Sequence, residues 1–161
     1  MYYSTDYSSP IGEMIIASDG EAICGVWFYG QKHFPSPDDF IKNDDLAIFS
    51  DVKEWLDEYF NGLNPRIDFK LKPNGTNFQL KVWKILSEIP YGETVTYGEI
   101  AQKISPTMSA QAVGGAVGHN PISILIPCHR VLGADGKLTG YAGGIDRKIE
   151  LLKIENILNF I

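Results

Sequence analysis

Hydrophobic and polar positions alternate through the first quarter of the chain, then shift to a helical period. Residues 2–7, 13–18 and 22–28 read as strands, separated by Pro10-Ile11-Gly12 and by Asp19-Gly20. Asp-Gly is a favoured two-residue hairpin turn, so a tight hairpin is predicted there. An acidic, proline-marked loop is predicted over residues 35–45. Ile48, Val52, Trp55, Leu56, Tyr59 and Phe60 recur at helical spacing, and Asn61-Gly62 supplies a stop. Ile67, Phe69 and Leu71 alternate with Asp68 and Lys70, predicting one more strand, and Lys72-Pro73-Asn74-Gly75 reads as a linker.

Beyond the linker the pattern is helices joined by short turns. Thr76 and Gln79 fit a capping box opening a helix whose apolar face holds Phe78, Val82, Trp83, Ile85 and Leu86, and Pro90 ends it. Thr96 and Glu99 repeat the box ahead of a short helix through Ile100 and Ala101. Thr107 or Ser109 can cap a third helix over residues 110–118. Two short helices across a tight turn make a helix-turn-helix candidate. A hairpin-like loop over 134–137 and a final helix over about 146–159 follow, giving a winged arrangement. The predicted class is therefore α/β (α+β). A small antiparallel-sheet-plus-helix domain, residues 1–73, packs on a helical winged helix-turn-helix domain, residues 76–161.

Composition narrows the setting. No run of about 18 apolar residues occurs and no signal-peptide pattern opens the chain, so a cytoplasmic protein without a membrane span is expected. Two cysteines make no disulfide scaffold, which points to reduced thiols. The net charge of −6 argues against a nucleic-acid partner until its distribution is considered. Residues 1–75 carry 13 acidic against 6 basic side chains, net −7, whereas residues 76–161 are close to neutral at +1. The second half can face DNA, with modest and salt-sensitive affinity.

The chemistry concentrates at Cys128. It follows the apolar run Ile122 to Ile126 and Pro127, and His129 is its immediate neighbour. Glu155 comes close if the last helix folds back. Carboxylate, imidazole and thiol in series form the orienter, base and nucleophile of a thiol-based reaction. Ala110-Gln111-Ala112-Val113-Gly114-Gly115 opens the third helix with small residues, and each glycine costs about 1 kcal/mol there relative to alanine. Such a surface lets another backbone approach closely.

Pro127-Cys128-His129-Arg130-Val131, preceded by Ile124-Leu125-Ile126 and Gly118-His119-Asn120-Pro121, closely resembles the O6-alkylguanine-DNA alkyltransferases (methylated-DNA–protein-cysteine methyltransferases). Tyr91-Gly92-Glu93-Thr94-Val95-Thr96-Tyr97, Ala112-Val113-Gly114-Gly115-Ala116 and Gly140-Tyr141-Ala142-Gly143-Gly144 extend the likeness over about residues 76–158. The first half resembles the family only in its strand-and-helix outline, which is ribonuclease H-like.

The resemblance implies a one-shot DNA repair reaction. An O6-alkylated guanine is flipped out of duplex DNA and its alkyl group passes to the cysteine, with no metal or organic cofactor. Carried over position by position, Cys128 matches the acceptor and His129 the base, acting through a water. Glu155 matches the orienting carboxylate, Asn120 the brace of the active-site turn, and Tyr97 the hydroxyl donating to guanine N3. The backbone around Val131, Tyr141 and Ala142 matches the wall that reads the base, and Arg130 ties the turn to nearby carbonyls. Gln111, Ala112, Gly114 and Gly115 match the helix that enters the minor groove.

Family members commonly place an arginine where this chain has Gln111, so base flipping is expected to be retained but weakened. Cys24 and His33 fall well short of a zinc set, and no metal is expected. A monomer is expected, with cooperative binding along DNA left open. The competing classes are a damage sensor that binds alkylated DNA without transfer, a thiol hydrolase, and a winged-helix regulator. Cys128, the lack of an oxyanion-hole signal and the small-residue helix respectively disfavour them.

Overall fold

The computed structural model describes residues 2–157. The chain forms two compact units.

The first unit, residues 1–74 with Pro121–Ser123, is a four-stranded sheet carrying one long helix. Strands β1 (Tyr2–Ser9), β2 (Gly12–Ser18) and β3 (Ile23–Phe28) are antiparallel neighbours. Ser9 pairs with Gly12, so Pro10 and Ile11 make the two-residue turn. The predicted Asp19-Gly20 hairpin is instead a four-residue loop. Asp19 Oδ1 accepts the amides of Glu21 and Ala22, and Ser18 Oγ accepts that of Gly20, so side chains hold open a wider connection.

A further strand, β4 (Phe40–Lys42), lies inside the predicted acidic loop. It pairs parallel to β1 and completes the order β3-β2-β1-β4, so the sheet is mixed rather than wholly antiparallel. The strand predicted over residues 67–71 does not form. Leu71 makes a single bridge to Ile23, and the flanking prolines Pro65 and Pro73 supply no amide hydrogen to extend it.

Helix α1 (Ala47–Phe60) packs on β1 and β2 through Ile48, Phe49, Val52, Trp55, Leu56 and Tyr59. Asn61 and Gly62, the latter at φ +84°, end it as predicted. Trp27 stacks with Phe40 at 6.0 Å, its indole lying over Gly25. A β-carbon at Gly25 would sit 1.9 Å from the indole, so only glycine fits beneath it.

The second unit comprises Gly75–Asn120 and the chain from Ile124 on. Helices α2 (Asn77–Ser87) and α3 (Tyr97–Ile104) each open on the predicted capping box, Thr76 with Gln79 and Thr96 with Glu99. Ser109 caps α4 (Ala110–Gly118) by accepting the Ala112 amide. Trp83 Nε1 donates to the Ala116 carbonyl at 2.8 Å and fastens α2 to α4. Strand β5 (Val95–Thr96) pairs parallel with β6 (Val131–Leu132). The loop after β6 closes through the Gly133 amide and Lys137 carbonyl at 2.8 Å.

Helix α5 (Ile145–Ile154) is shorter than the predicted 146–159. Glu155 occupies its C-cap and Asn156 turns left-handed at φ +61°; predicted positions 158 and 159 lie outside the described residues.

Candidate active site

Four local devices present Cys128. Pro127, at φ −81° and ψ 67°, centres a tight turn in which the Cys128 amide donates to the Ile126 carbonyl at 2.8 Å. Asn120 Nδ2 donates to that same carbonyl, also at 2.8 Å, and so braces the turn from the end of α4. Cys128–Arg130 then form one 3₁₀ turn whose last amide bonds pass directly into β6. Ile124, a β-branched residue held at φ +71° and fully buried, bends the chain on the way in. Such a conformation is costly for isoleucine and persists only because surrounding packing enforces it.

The imidazole of His129 and the carboxylate of Glu155 are both buried and meet at 2.6 Å, Nε2 to Oε2. Arg130 donates to both carboxylate oxygens, Nε to Oε1 at 2.8 Å and Nη2 to Oε2 at 3.2 Å. The Gly92 amide adds a bond to Oε1 at 3.0 Å. Four donors therefore converge on one carboxylate. Arg130 also donates through Nη1 to the Ile89 carbonyl at 2.7 Å and lies 5.7 Å from the Tyr91 ring centroid. This arginine sits inside the cluster, away from the outward face of α4 that bears Gln111.

Burial opposes ionisation of Glu155, but the bonds from His129, Arg130 and Gly92 outweigh it and hold its pKa at about 2. Burial lowers the pKa of His129 below its ordinary value; Glu155 resists this, while the charges of Arg130 and Lys148 add to it. Burial likewise raises the Cys128 thiol, against a hydrogen bond from Asn120 and the charge of Lys148. The resting pair is a neutral thiol beside a neutral imidazole. With Nε2 committed to Glu155, Nδ1 is the nitrogen of His129 that can take a proton.

The parallel β5–β6 pair sets Val95 opposite Val131, which brings the start of α3 beside the cysteine turn. Tyr97 follows immediately, and its hydroxyl accepts from Thr139 Oγ1 at 3.4 Å. Tyr141 and Ala142, adjacent in the chain, are both partly buried. On α4, Gln111, Ala112 and Gly115 are exposed. A β-carbon on Gly115 would meet nothing within 4 Å, and one on Gly114 would only touch Tyr97 at 3.8 Å. Packing within the protein therefore requires neither glycine.

Lys148 escaped sequence reasoning. It lies in α5 with no exposed surface, and its ammonium donates to the carbonyls of Val131 at 2.6 Å and of Thr139 and Gly140 at 3.4 Å. A lysine in an amphipathic helix ordinarily reaches solvent, so no pattern in the chain marked this one.

The sequence model described as "6-O-methylguanine DNA methyltransferase, DNA binding domain" matches residues 77–157, and that described as the family's "ribonuclease-like domain" matches residues 1–73. The chain belongs to the 6-O-methylguanine DNA methyltransferase family. Relatives named methylated-DNA–protein-cysteine methyltransferase include that of Methanosarcina acetivorans, 49% identical over 96% of this chain and 98% of its own length. That of Haemophilus influenzae is 47% identical over 96% and 87% respectively. Among solved structures, the Mycobacterium tuberculosis O6-methylguanine methyltransferase superposes with a TM-score of 0.86 at 46% identity, covering 96% of this chain and 93% of that one. The Mycobacterium tuberculosis OGT protein in complex with DNA gives 0.85 at 45% identity, with coverages of 96% and 91%.

Among the described residues, no group of three or more His, Cys, Asp or Glu side chains could hold a metal ion, and no helix is long and apolar enough to cross a membrane. Cys24 is buried, and its thiol is raised chiefly by that burial.

Proposed function

We propose that this chain repairs duplex DNA by direct reversal, moving the alkyl group of an O6-alkylguanine onto Cys128 in one irreversible turnover. The observation that carries this reading is the buried His129–Glu155 pair, 2.6 Å apart, its histidine next in sequence to Cys128, in a chain of this family. His129 Nδ1 takes the thiol proton, through a bridging water, as sulfur attacks. The S–C bond forms while the O6–C bond breaks, and guanine leaves as an oxyanion that is reprotonated to the ordinary base. Tyr97 donates to the ring as negative charge grows on it, which is where a fixed donor contributes most.

Glu155 keeps His129 in one tautomer and stabilises the imidazolium formed in the step, and Arg130 keeps Glu155 ionised. Asn120 fixes the turn. Helix α4 enters the minor groove with Ala112, Gly114 and Gly115 against the sugar-phosphate walls, while Gln111 reaches into the space the flipped base vacates. The walls around the base are the backbone near Val131, Tyr141 and Ala142. The protein acts as a monomer on alkylated duplex.

A duplex carrying one O6-methylguanine inside a methylation-blocked restriction site tests this. Cleavable DNA should appear in a one-to-one ratio with added protein and not at all with Cys128→Ser. Tight binding without restored cleavage would instead establish a damage sensor, and continued repair beyond one equivalent would establish a turnover enzyme.

A further inference from the structure

The transfer mechanism leaves one buried charge unused. Lys148 has no solvent-accessible surface, and among the described residues no carboxylate lies within ion-pair distance of it. An unpaired buried ammonium is costly, so its three acceptors must compensate. Those acceptors come from two separate backbone segments. The Val131 carbonyl, at 2.6 Å, belongs to β6 just after the cysteine turn. The Thr139 and Gly140 carbonyls, both at 3.4 Å, immediately precede Tyr141 and Ala142. The side chain of Thr139 in turn meets the Tyr97 hydroxyl. Every segment assigned above to the base-reading wall is thus joined through Lys148 or the residue it holds. A lysine suits this task because an ammonium on a flexible stem carries three donors that can point in different directions.

We infer that Lys148 is a positioning residue of the transfer reaction, its ammonium fixing the Val131 strand and the Thr139–Gly140 segment at the separation that admits an O-alkylated purine. This inference rests on the function proposed above. Its charge also favours the Cys128 thiolate, so the positioning role is the part of its effect that remains once thiolate fraction is matched. Burial draws the lysine down to about 8, so its charge is maintained only against resistance from its surroundings.

The test compares two reactions of Cys128 in wild type and Lys148→Met, after circular dichroism has established folding. One is single-turnover methyl transfer from an O6-methylguanine duplex, corrected for the thiolate fraction that the iodoacetamide pH profile of each protein gives; the other is alkylation by iodoacetamide, taken to its high-pH plateau. Transfer should fall about 100-fold, the scale of loss from small misplacement of a reacting partner, while the iodoacetamide plateau changes less than about threefold. If Lys148→Met does not fold, Lys148→Gln, which keeps two N–H donors without the charge, is judged by the same ratio. Transfer within about threefold of wild type, or an equal fall in both reactions, would overturn the positioning role. A wild-type protein that alkylates with iodoacetamide but accepts no methyl group from DNA would instead overturn the parent reading, and this inference with it.

Discussion

Cys128 rests as a neutral thiol and His129 as a neutral imidazole because both are buried, and this sets the pH behaviour of the reaction. A base whose pKa is lowered keeps its proton-accepting form to a lower pH. Single-turnover transfer should therefore hold steady through neutrality, with its acid limb below the ordinary histidine value of 6.5. A limb at or above that value would contradict the assignment. Glu155 makes a separate prediction about stability. Its folded pKa of about 2 lies below the ordinary 4.5, so its contribution is present above pH 4.5 and is lost as pH falls toward 2. That contribution is about 3 kcal/mol at neutral pH. Urea unfolding across this window should show the loss in wild type and a flatter dependence in Glu155→Gln. At this scale the meeting of His129 with Glu155 was legible in the sequence, because the Cys128-His129 pair sits within a family motif that the last helix can fold back upon. The clamp of Arg130 on Glu155 and the burial of Lys148 were not. Both depend on partners brought together only by folding, Arg130 and Glu155 being 25 residues apart.

Helix α4 is the element where the proposed function sets local stability against DNA binding. Gly115 faces open space, so alanine there should fit and raise helix stability by about 1 kcal/mol. The same methyl group would stand between α4 and a minor-groove wall, and duplex affinity should fall by about tenfold or more. Thermal melts and fluorescence-anisotropy titration of Gly115→Ala measure the two effects; unchanged affinity would remove α4 from the interface. Gln111 leads to the opposite expectation. Arginine at this exposed position should tighten duplex binding and speed repair, since a guanidinium adds charge and a stacking plane. No gain in either quantity would show that flipping is not limited by this side chain. The starts of α2, α3 and α4 could be read from the chain because their capping residues act within four positions of one another. Strand β4 could not, since three residues in an acidic stretch owe their conformation to a parallel neighbour distant in sequence. The alternation of Ile67, Phe69 and Leu71 failed for the converse reason: among the described residues its pairing stops at the one bridge from Leu71 to Ile23 of β3.

Across the whole chain, charge is divided as the work is. The acidic excess lies almost wholly in the first 75 residues, leaving the half that carries Cys128 and α4 near neutral. Binding to DNA should accordingly rest on fit and base flipping more than on phosphate neutralisation. The two-part organisation was visible in the change of hydrophobic period around the 72–75 linker. The return of Pro121–Ser123 to the first unit was not, because it follows from one short pairing in which the Val26 amide donates to Pro121 and the Ser123 amide donates to Val26. The central claim is that Cys128 is a stoichiometric alkyl acceptor. Intact-mass measurement after mixing the protein with excess duplex containing one O6-methylguanine tests it most directly. The account predicts a single added methyl group, mapped to Cys128, saturating at one per protein and absent from Cys128→Ala. An unchanged mass in wild type, or a methyl group on any other residue, would contradict it.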